Sequence, residues 1–357
     1  MKTRVAFVVL SCLLSVATGF VLSRGGLPQQ QKKDRDHVLI GLSMDTLKEE
    51  RWQNDRDLFV KRAKELGAEV LVQAANSDDT RQIQDVEALI SRKVDVLVVV
   101  PHNGEAMAKA VRLAHEAGIP VIAYDRLITN ADLDLYISFD AITVGEQQAR
   151  YLVSKLSGAP ASKPKSRIVR IHGAKTDNNA VLFKVGQDNI LKPYIKSGQI
   201  EVIHEDWAEN WKPENAKKIT QAAITKFGSN FDGILAANDG TAGGAIQALL
   251  EEGLTGKILV TGQDAELAAC QRIASGAQAM TIYKPLKILA ERAVEVAVAM
   301  AKRKPVVARF EVDNGKVKVP SILIEVQTVT KDNMMETVVK DGFHKREDVY
   351  RGEHRAL

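Results

Sequence analysis

Short apolar runs that stop abruptly at polar residues recur along this chain, separated by stretches in which apolar positions return every three or four residues. Residues 37–42 run into a polar tip at 43–46, and a helical pattern follows from about Glu50 to Leu66 with Gly67 as its stop. The same grammar repeats with strand 69–73 and helix 79–92, then strand 95–100 and helix 105–117, then strand 121–123. An apolar run that ends in charge is how a buried parallel strand looks where it leaves its sheet. Strands alternating with helices of roughly ten to fifteen residues predict βαβ units and a parallel sheet.

Residues 121–145, VIAYDRLITNADLDLYISFDAITVG, form a seam in this pattern. One apolar run ends in Asp125 and Arg126, a second (135–139) ends in Asp140, and the grammar then starts again. A helix over 144–156 leads through a Pro- and Ser-containing surface loop, 158–166, to strand 167–172 with the polar tip 173–179. Helix 179–195, strand 201–204, helix 212–227, strand 231–236, helix 241–252 and strand 257–260 follow, with tips at Asn238 and Asp239 and at Gln263 and Asp264. GLSMDT answers HGAKTDNN, VVVPHN answers LAANDG, and IAYDR answers VTGQDA, which suggests two copies of one architecture. Strand 280–283 ends in Lys284 and Pro285, a long helix runs to about Lys302, and a looser segment with Asn314 and Gly315 precedes an alternating run, 322–329.

The expected fold is therefore α/β, with two doubly wound parallel-sheet lobes joined by several chain crossings that act as a hinge. The expected division is 1–35 as export signal or anchor plus spacer, 36–141 with 284–323 as the first lobe, 142–283 with 324–345 as the second, and 346–357 as a polar tail. A length of 357 residues favours two cores over one. Lys2 and Arg4 followed by the uncharged, mainly apolar run 5–22 outline an export signal, with Ala17 and Gly19 near a cleavage point. The alternatives are retention as a membrane anchor and lipidation at Cys12, for which Val9, Leu10 and Ser11 make a poor lipobox. All three put the folded part outside the cytoplasm.

Composition narrows the chemistry. A net charge of +4, with Lys and Arg interleaved with Asp and Glu on helix faces, argues for solvated surfaces and against a nucleic-acid partner. The two cysteines, Cys12 and Cys270, exclude a disulfide framework, and Cys270 reads as a small buried apolar residue. The chain lacks GxSxG, HExxH, the P-loop pattern and the EF-hand loop. GTAGG at 240–244 opens a helix and reads as close packing, since no Lys and Ser/Thr follow to complete a phosphate cradle. The histidines fall singly, without metal-ligand spacing.

What remains is a set of planar polar groups at strand tips: Arg51, Asp125, Arg126, Asp177, Asn179, Asn238, Asp264 and Lys284, with Trp52 and Trp211 nearby. Taken singly, each reads as a helix cap, turn former or surface charge. Jointly, carboxylates, amides and guanidinium groups fit vicinal hydroxyls, and indole covers the C–H face of a pyranose, so the implied ligand is a small neutral polyol.

The runs ERWQNDRD, AYDR with YISFD, DNNA, W-KPENA, NDGTAGGAIQAL, GQDAELA, YKP and VVKDGFH resemble the xylose-binding branch of the type I periplasmic sugar-binding proteins of bacterial ABC transporters. The resemblance runs from His37 to His344. It implies a D-xylose site between two lobes, with Arg51, Trp52, Asp125, Arg126, Asp177, Asn179, Trp211, Asn238, Asp264 and Lys284 as its residues. It also implies a periplasmic, monomeric, non-catalytic protein without cofactor or metal, whose partner is an ABC permease, with a chemoreceptor as a further candidate. Another monosaccharide (ribose, allose or glucose) is the main rival ligand. A sugar-converting enzyme using the same carboxylates is a further alternative, and a two-lobed transcription regulator is opposed by the apolar N-terminus.

Overall fold

Residues 37–156 and 165–351 are described by the computed structural model. The apolar segment 5–22, and with it the export reading and Cys12, lies outside the described residues, as do 157–164 and 352–357. The first lobe begins β1 (Val38–Met44), α1 (Glu50–Glu65), β2 (Ala68–Ala74), α2 (Asp79–Ser91), β3 (Val96–Val99), α3 (Ala108–Glu116), β4 (Val121–Tyr124) and β5 (Leu135–Phe139). The chain then crosses into α4 (Ala141–Leu156), β6 (Ser166–His172), α5 (Asn178–Lys196), β7 (Ile200–Trp207), α6 (Pro213–Phe227), β8 (Gly233–Ala236), α7 (Asp239–Glu251), β9 (Leu259–Val260), α8 (Leu267–Ala274) and β10 (Thr281–Tyr283). It returns through α9 (Leu286–Ala301), β11 (Phe310–Asp313) and β12 (Lys318–Ile324), and crosses again to β13 (Gln327–Val329) and the short α10 (Arg346–Val349).

The larger sheet has the order β11-β12-β5-β4-β3-β1-β2, parallel except for β11. Every residue of β3, β4 and β5 is buried, because helices cover both faces and an unbroken apolar run satisfies both at once. On one face Ile40, Leu42, Val96, Val98, Ile122 and Ile137 pack with Phe59 and Ala63 of α1 and with Leu289, Ala293 and Val294 of α9. On the other, Leu97, Val99, Val121 and Ala123 meet Val86 and Leu89 of α2 and Ala110, Val111 and Ala114 of α3. The second lobe carries the parallel sheet β7-β6-β8-β9 and a separate antiparallel pair, β10 with β13.

Two sequence expectations change. The run 322–329 is two strands: Ile322–Ile324 continues the first lobe's sheet beside β5, while Gln327–Val329 pairs with β10 of the second lobe. Ile322 and Ile324 pack on one face of the first lobe's sheet and Leu323 on the other, and the change of sheet follows Ile324, where the expected division of the lobes fell after 323. Residues 346–351 are also not a plain polar tail. Val349 is buried with Ala265, Ile273 and Val338, and Gln271 Nε2 donates to the Asp348 carbonyl at 2.8 Å.

Close helix contacts in the second lobe depend on glycine. A Cβ at Gly145 would stand 2.0 Å from the Phe183 carbonyl oxygen, and one at Gly186 2.1 Å from that of Ile142, so α4 and α5 touch backbone to backbone. Gly244 is equally tight against the Pro213 carbonyl oxygen, at 2.0 Å, which gives the GTAGG run a packing role between α7 and α6. Gly145→Ala should therefore force the helix pair apart and cost about 1–3 kcal/mol or more, as overpacking does. Urea unfolding of the sugar-free protein would register this as a lower midpoint at unchanged slope.

Candidate ligand-binding site

All ten residues singled out from sequence, the eight polar groups and the two tryptophans, line one cavity between the lobes, with about 340 Å³ of free space including its mouth. The first lobe supplies Arg51 and Trp52 from the first turn of α1 and Asp125 and Arg126 from the end of β4. The second lobe supplies Asp177 and Asn179 at the start of α5, Trp211 before α6, Asn238 at the start of α7, and Asp264 beyond β9, while Lys284 follows β10 at a crossing. Three further residues line the cavity and escaped the sequence reading: Glu49, Phe183 and Gln263. Gln263 stands beside Asp264 at a strand tip and could have been added on position alone. Phe183 sits on the buried stripe of α5 and carries no polar signal.

The charges are paired in a chain that crosses the cleft. Arg51 Nη2 donates to Asp125 Oδ2 at 2.9 Å and its Nε to Asp55 Oδ2 at 3.2 Å, and Asp55 is also held by the Tyr124 hydroxyl. Arg126 Nη1 donates to Asp45 Oδ2 at 2.7 Å, and its Nε lies 2.9 Å from Asp177 Oδ2 in the other lobe. Asp264 Oδ1 lies 3.2 Å from Lys284 Nζ and 3.5 Å from Arg51 Nη1. Burial alone would raise the Asp125 carboxyl, but Arg51, Lys284 and Arg126 outweigh it and hold it below the usual carboxylate range. Asp177 goes the other way: burial raises it further than Arg126 and the Asn179 amide lower it. Three cations and four acids around the cavity leave no large net charge to hold an ion, which suits a neutral hydroxylated ligand.

Three of the cavity-lining residues, Asp125, Trp211 and Asp264, have left-handed backbone. Asp125 has φ +62°, and its carbonyl accepts from Tyr136 Oη at 2.9 Å, Ser138 Oγ at 2.5 Å and Asn179 Nδ2 at 2.9 Å. Asp264 has φ +97°. The two repeat a detail: the Asp125 amide donates to the Ile137 carbonyl of β5 and the Asp264 amide to the Ile282 carbonyl of β10, each at 2.8 Å. Non-glycine residues are rarely left-handed, and they persist there only when surroundings over-determine them.

The indoles are equally constrained. Asn210 and Trp211 have φ +52° and +57° in a single 3-10 turn, which swings the Trp211 ring onto Gly173, where an added Cβ would stand 2.1 Å from it. Its Nε1 donates to Asp177 Oδ2 at 3.2 Å, and Phe183 meets it edge-on at 6.4 Å. Trp52 carries the Arg51 guanidinium 4.0 Å over its ring and that of Arg126 at 5.0 Å. The capping reading also holds for two residues. Asp177 Oδ1 accepts from the Asn179 amide, and Asn238 Oδ1 accepts from the Thr241 amide in a capping box, so only the Nδ2 end of Asn238 is available to a ligand.

A family profile described as "Periplasmic binding protein domain" matches residues 40–305. The chain belongs to the periplasmic binding protein family. It is 48% identical to the D-xylose-binding periplasmic protein of Haemophilus influenzae over 87% of this chain and 92% of that protein. To the D-xylose-binding periplasmic protein of Escherichia coli it is 44% identical, over 94% and 98%. A solved carbohydrate transporter solute-binding protein from Chloroflexus aurantiacus, in complex with D-glucose, superposes with a TM-score of 0.81 at 32% identity, covering 87% of this chain and 98% of that one. The type I two-lobe architecture expected from the sequence is the one observed.

Beneath the cleft this periplasmic binding protein buries a second acid group. Asp239 accepts from Gln278 Nε2 at 2.8 Å, Thr281 Oγ1 at 2.9 Å and the Glu266 amide at 3.0 Å. Burial, then the neighbouring carboxylates, push both Asp239 and Glu266 well above their ordinary values of 3.8 and 4.5. A carboxyl raised on folding contributes fully below its unfolded pKa and loses that contribution as pH rises through its folded value. Glu266→Gln removes the ionisation, so its sugar-free Tm should exceed that of the wild type by a few degrees at about pH 8.5 and match it near about pH 4.5. Paired melting curves across that range check the sign.

Proposed function

We propose that the protein binds D-xylose without transforming it, closes over the sugar by hinge motion, and delivers it to an ABC-type permease from outside the cytoplasm. One observation carries this reading: acids, amides, guanidinium groups and two indoles from both lobes meet around a single small cavity, in a chain nearly half identical to proteins named for D-xylose. Ligand contacts divided between two lobes can be completed only when the lobes meet, so binding draws the open–closed equilibrium toward closure. The proposed lobe boundary lies at the three crossings, near Asp140, Lys284 and Glu325. The basic, then apolar, N-terminal segment serves as export signal or anchor in this proposal, and the working form is a monomer. A chemoreceptor remains a candidate second partner on the resemblance alone.

A second monosaccharide ligand is favoured by one specific observation, the D-glucose held by the Chloroflexus aurantiacus relative. Calorimetric titration of the chain from about Gln29 with pentoses and hexoses separates the two, and D-xylose should bind tightest. Recovery of an altered sugar after incubation would replace binding by catalysis. Trp211→Ala should weaken D-xylose binding by about 2–4 kcal/mol and narrow its margin over D-glucose, because the rigid ring both covers a sugar face and limits room for a hexose's extra hydroxymethyl group. A variant that melts earlier yet binds normally would make the ring a core plug. Small-angle scattering should show a smaller radius of gyration at sugar saturation, and identical curves would remove hinge closure from the proposal.

A further inference from the structure

Glu49 is the N-cap residue of α1, yet its side chain makes no cap hydrogen bond. Its backbone carbonyl accepts from the Trp52 amide at 3.1 Å, and the side chain turns to the cavity instead. There Oε2 is buried and, among the described residues, has no hydrogen-bond partner outside its own residue. On the opposite lobe Gln263 repeats the situation: it is 2% exposed, lines the same cavity, and its Oε1 is buried and unpartnered. Buried acceptors are almost always satisfied, and leaving one without a donor is costly. Every other charged group lining this cavity has at least one polar or charged partner from the protein. Two acceptors facing one space from opposite walls call for a ligand that brings donors to both.

We propose that Glu49 is a specificity-determining residue that accepts a hydrogen bond from one particular hydroxyl of the bound sugar, with Gln263 accepting from another across the cleft. The inference rests on the sugar-binding reading above and goes further by assigning a residue outside the ten positions singled out from sequence. A carboxylate that accepts from a hydroxyl makes a charge-assisted bond, stronger than a neutral one. Selectivity of this kind is sharp, since a ligand lacking the hydroxyl leaves the buried acceptor unpaired.

The test is calorimetric titration of the wild type, Glu49→Leu and Glu49→Gln with D-xylose and its monodeoxy analogues. Glu49→Leu should weaken D-xylose binding about ten- to hundred-fold, and Glu49→Gln should recover part of that loss. One monodeoxy analogue should bind the wild type and Glu49→Leu equally, while the others keep the full loss, which identifies the hydroxyl. The sugar-free Tm of Glu49→Leu should not fall, because an unpartnered buried carboxylate is removed with it. A loss uniform across all analogues, or no loss at all, would overturn the proposal. Failure of the wild type to bind D-xylose would instead refute the proposed function, and the deoxy series of whichever monosaccharide does bind would then carry the Glu49 test.

Discussion

Two guanidinium groups, Arg51 and Arg126, are each only 5% exposed, and the arrangement of the cleft follows from the need to pair them. A charge taken out of water without a partner costs several kcal/mol, and removing one member of a buried pair costs about 3–5 kcal/mol. Each guanidinium has planar donors in a fixed fork, so its acids must lie in defined directions. Asp55 and Asp45 answer from the first lobe, and Asp264 and Asp177 from the second. The first-lobe partners keep both arginines in place whatever the other lobe does. The second-lobe partners lie across the cleft at 3.5 and 2.9 Å, so the same charges that build half the cleft also link the two lobes.

The acids can answer because the strands end where they do. Asp125, directly after β4, and Asp264, beyond β9, both turn left-handed, and the amide of each donates to a strand carbonyl, of Ile137 in β5 and Ile282 in β10. Three donors converge on the Asp125 carbonyl, one of them from Asn179 across the cleft. Strain of this sort persists only where surroundings over-determine it. Ile137, Tyr136 and Ser138 of β5 and Ile282 of β10 supply most of these supports, so the two carboxylates are presented on backbone tied to strands.

Trp211 shows how core and site share residues. It packs with Phe183, Ala174 and Met280 in the second lobe's apolar cluster while one side lines the cavity. The readings of the ring as packing and as ligand wall are therefore compatible, and Gly173 links them by leaving room for the indole at the tip of β6. Asp177 and Asn238 are double in the same way, capping helices with one atom and facing the cavity with another.

The sequence by itself determined the fold class and the strand-tip set. Buried parallel strands must be apolar throughout and must end in polar residues, and that pattern is local, readable from Val121–Tyr124 or Gly233–Ala236 alone. The ten residues were legible for the same reason, helped by the resemblance of the runs around them. Glu49 was not, because an acid ahead of a helix reads as a cap, and only the packed structure turns its side chain into the cavity. Nor was Phe183 legible, since a core aromatic and a wall aromatic have the same helical spacing. The pairing of Gln327–Val329 with β10 and the burial of Val349 were also tertiary decisions. Which partner a half-buried strand or a terminal turn finds is set by non-local packing, on which period and composition are silent.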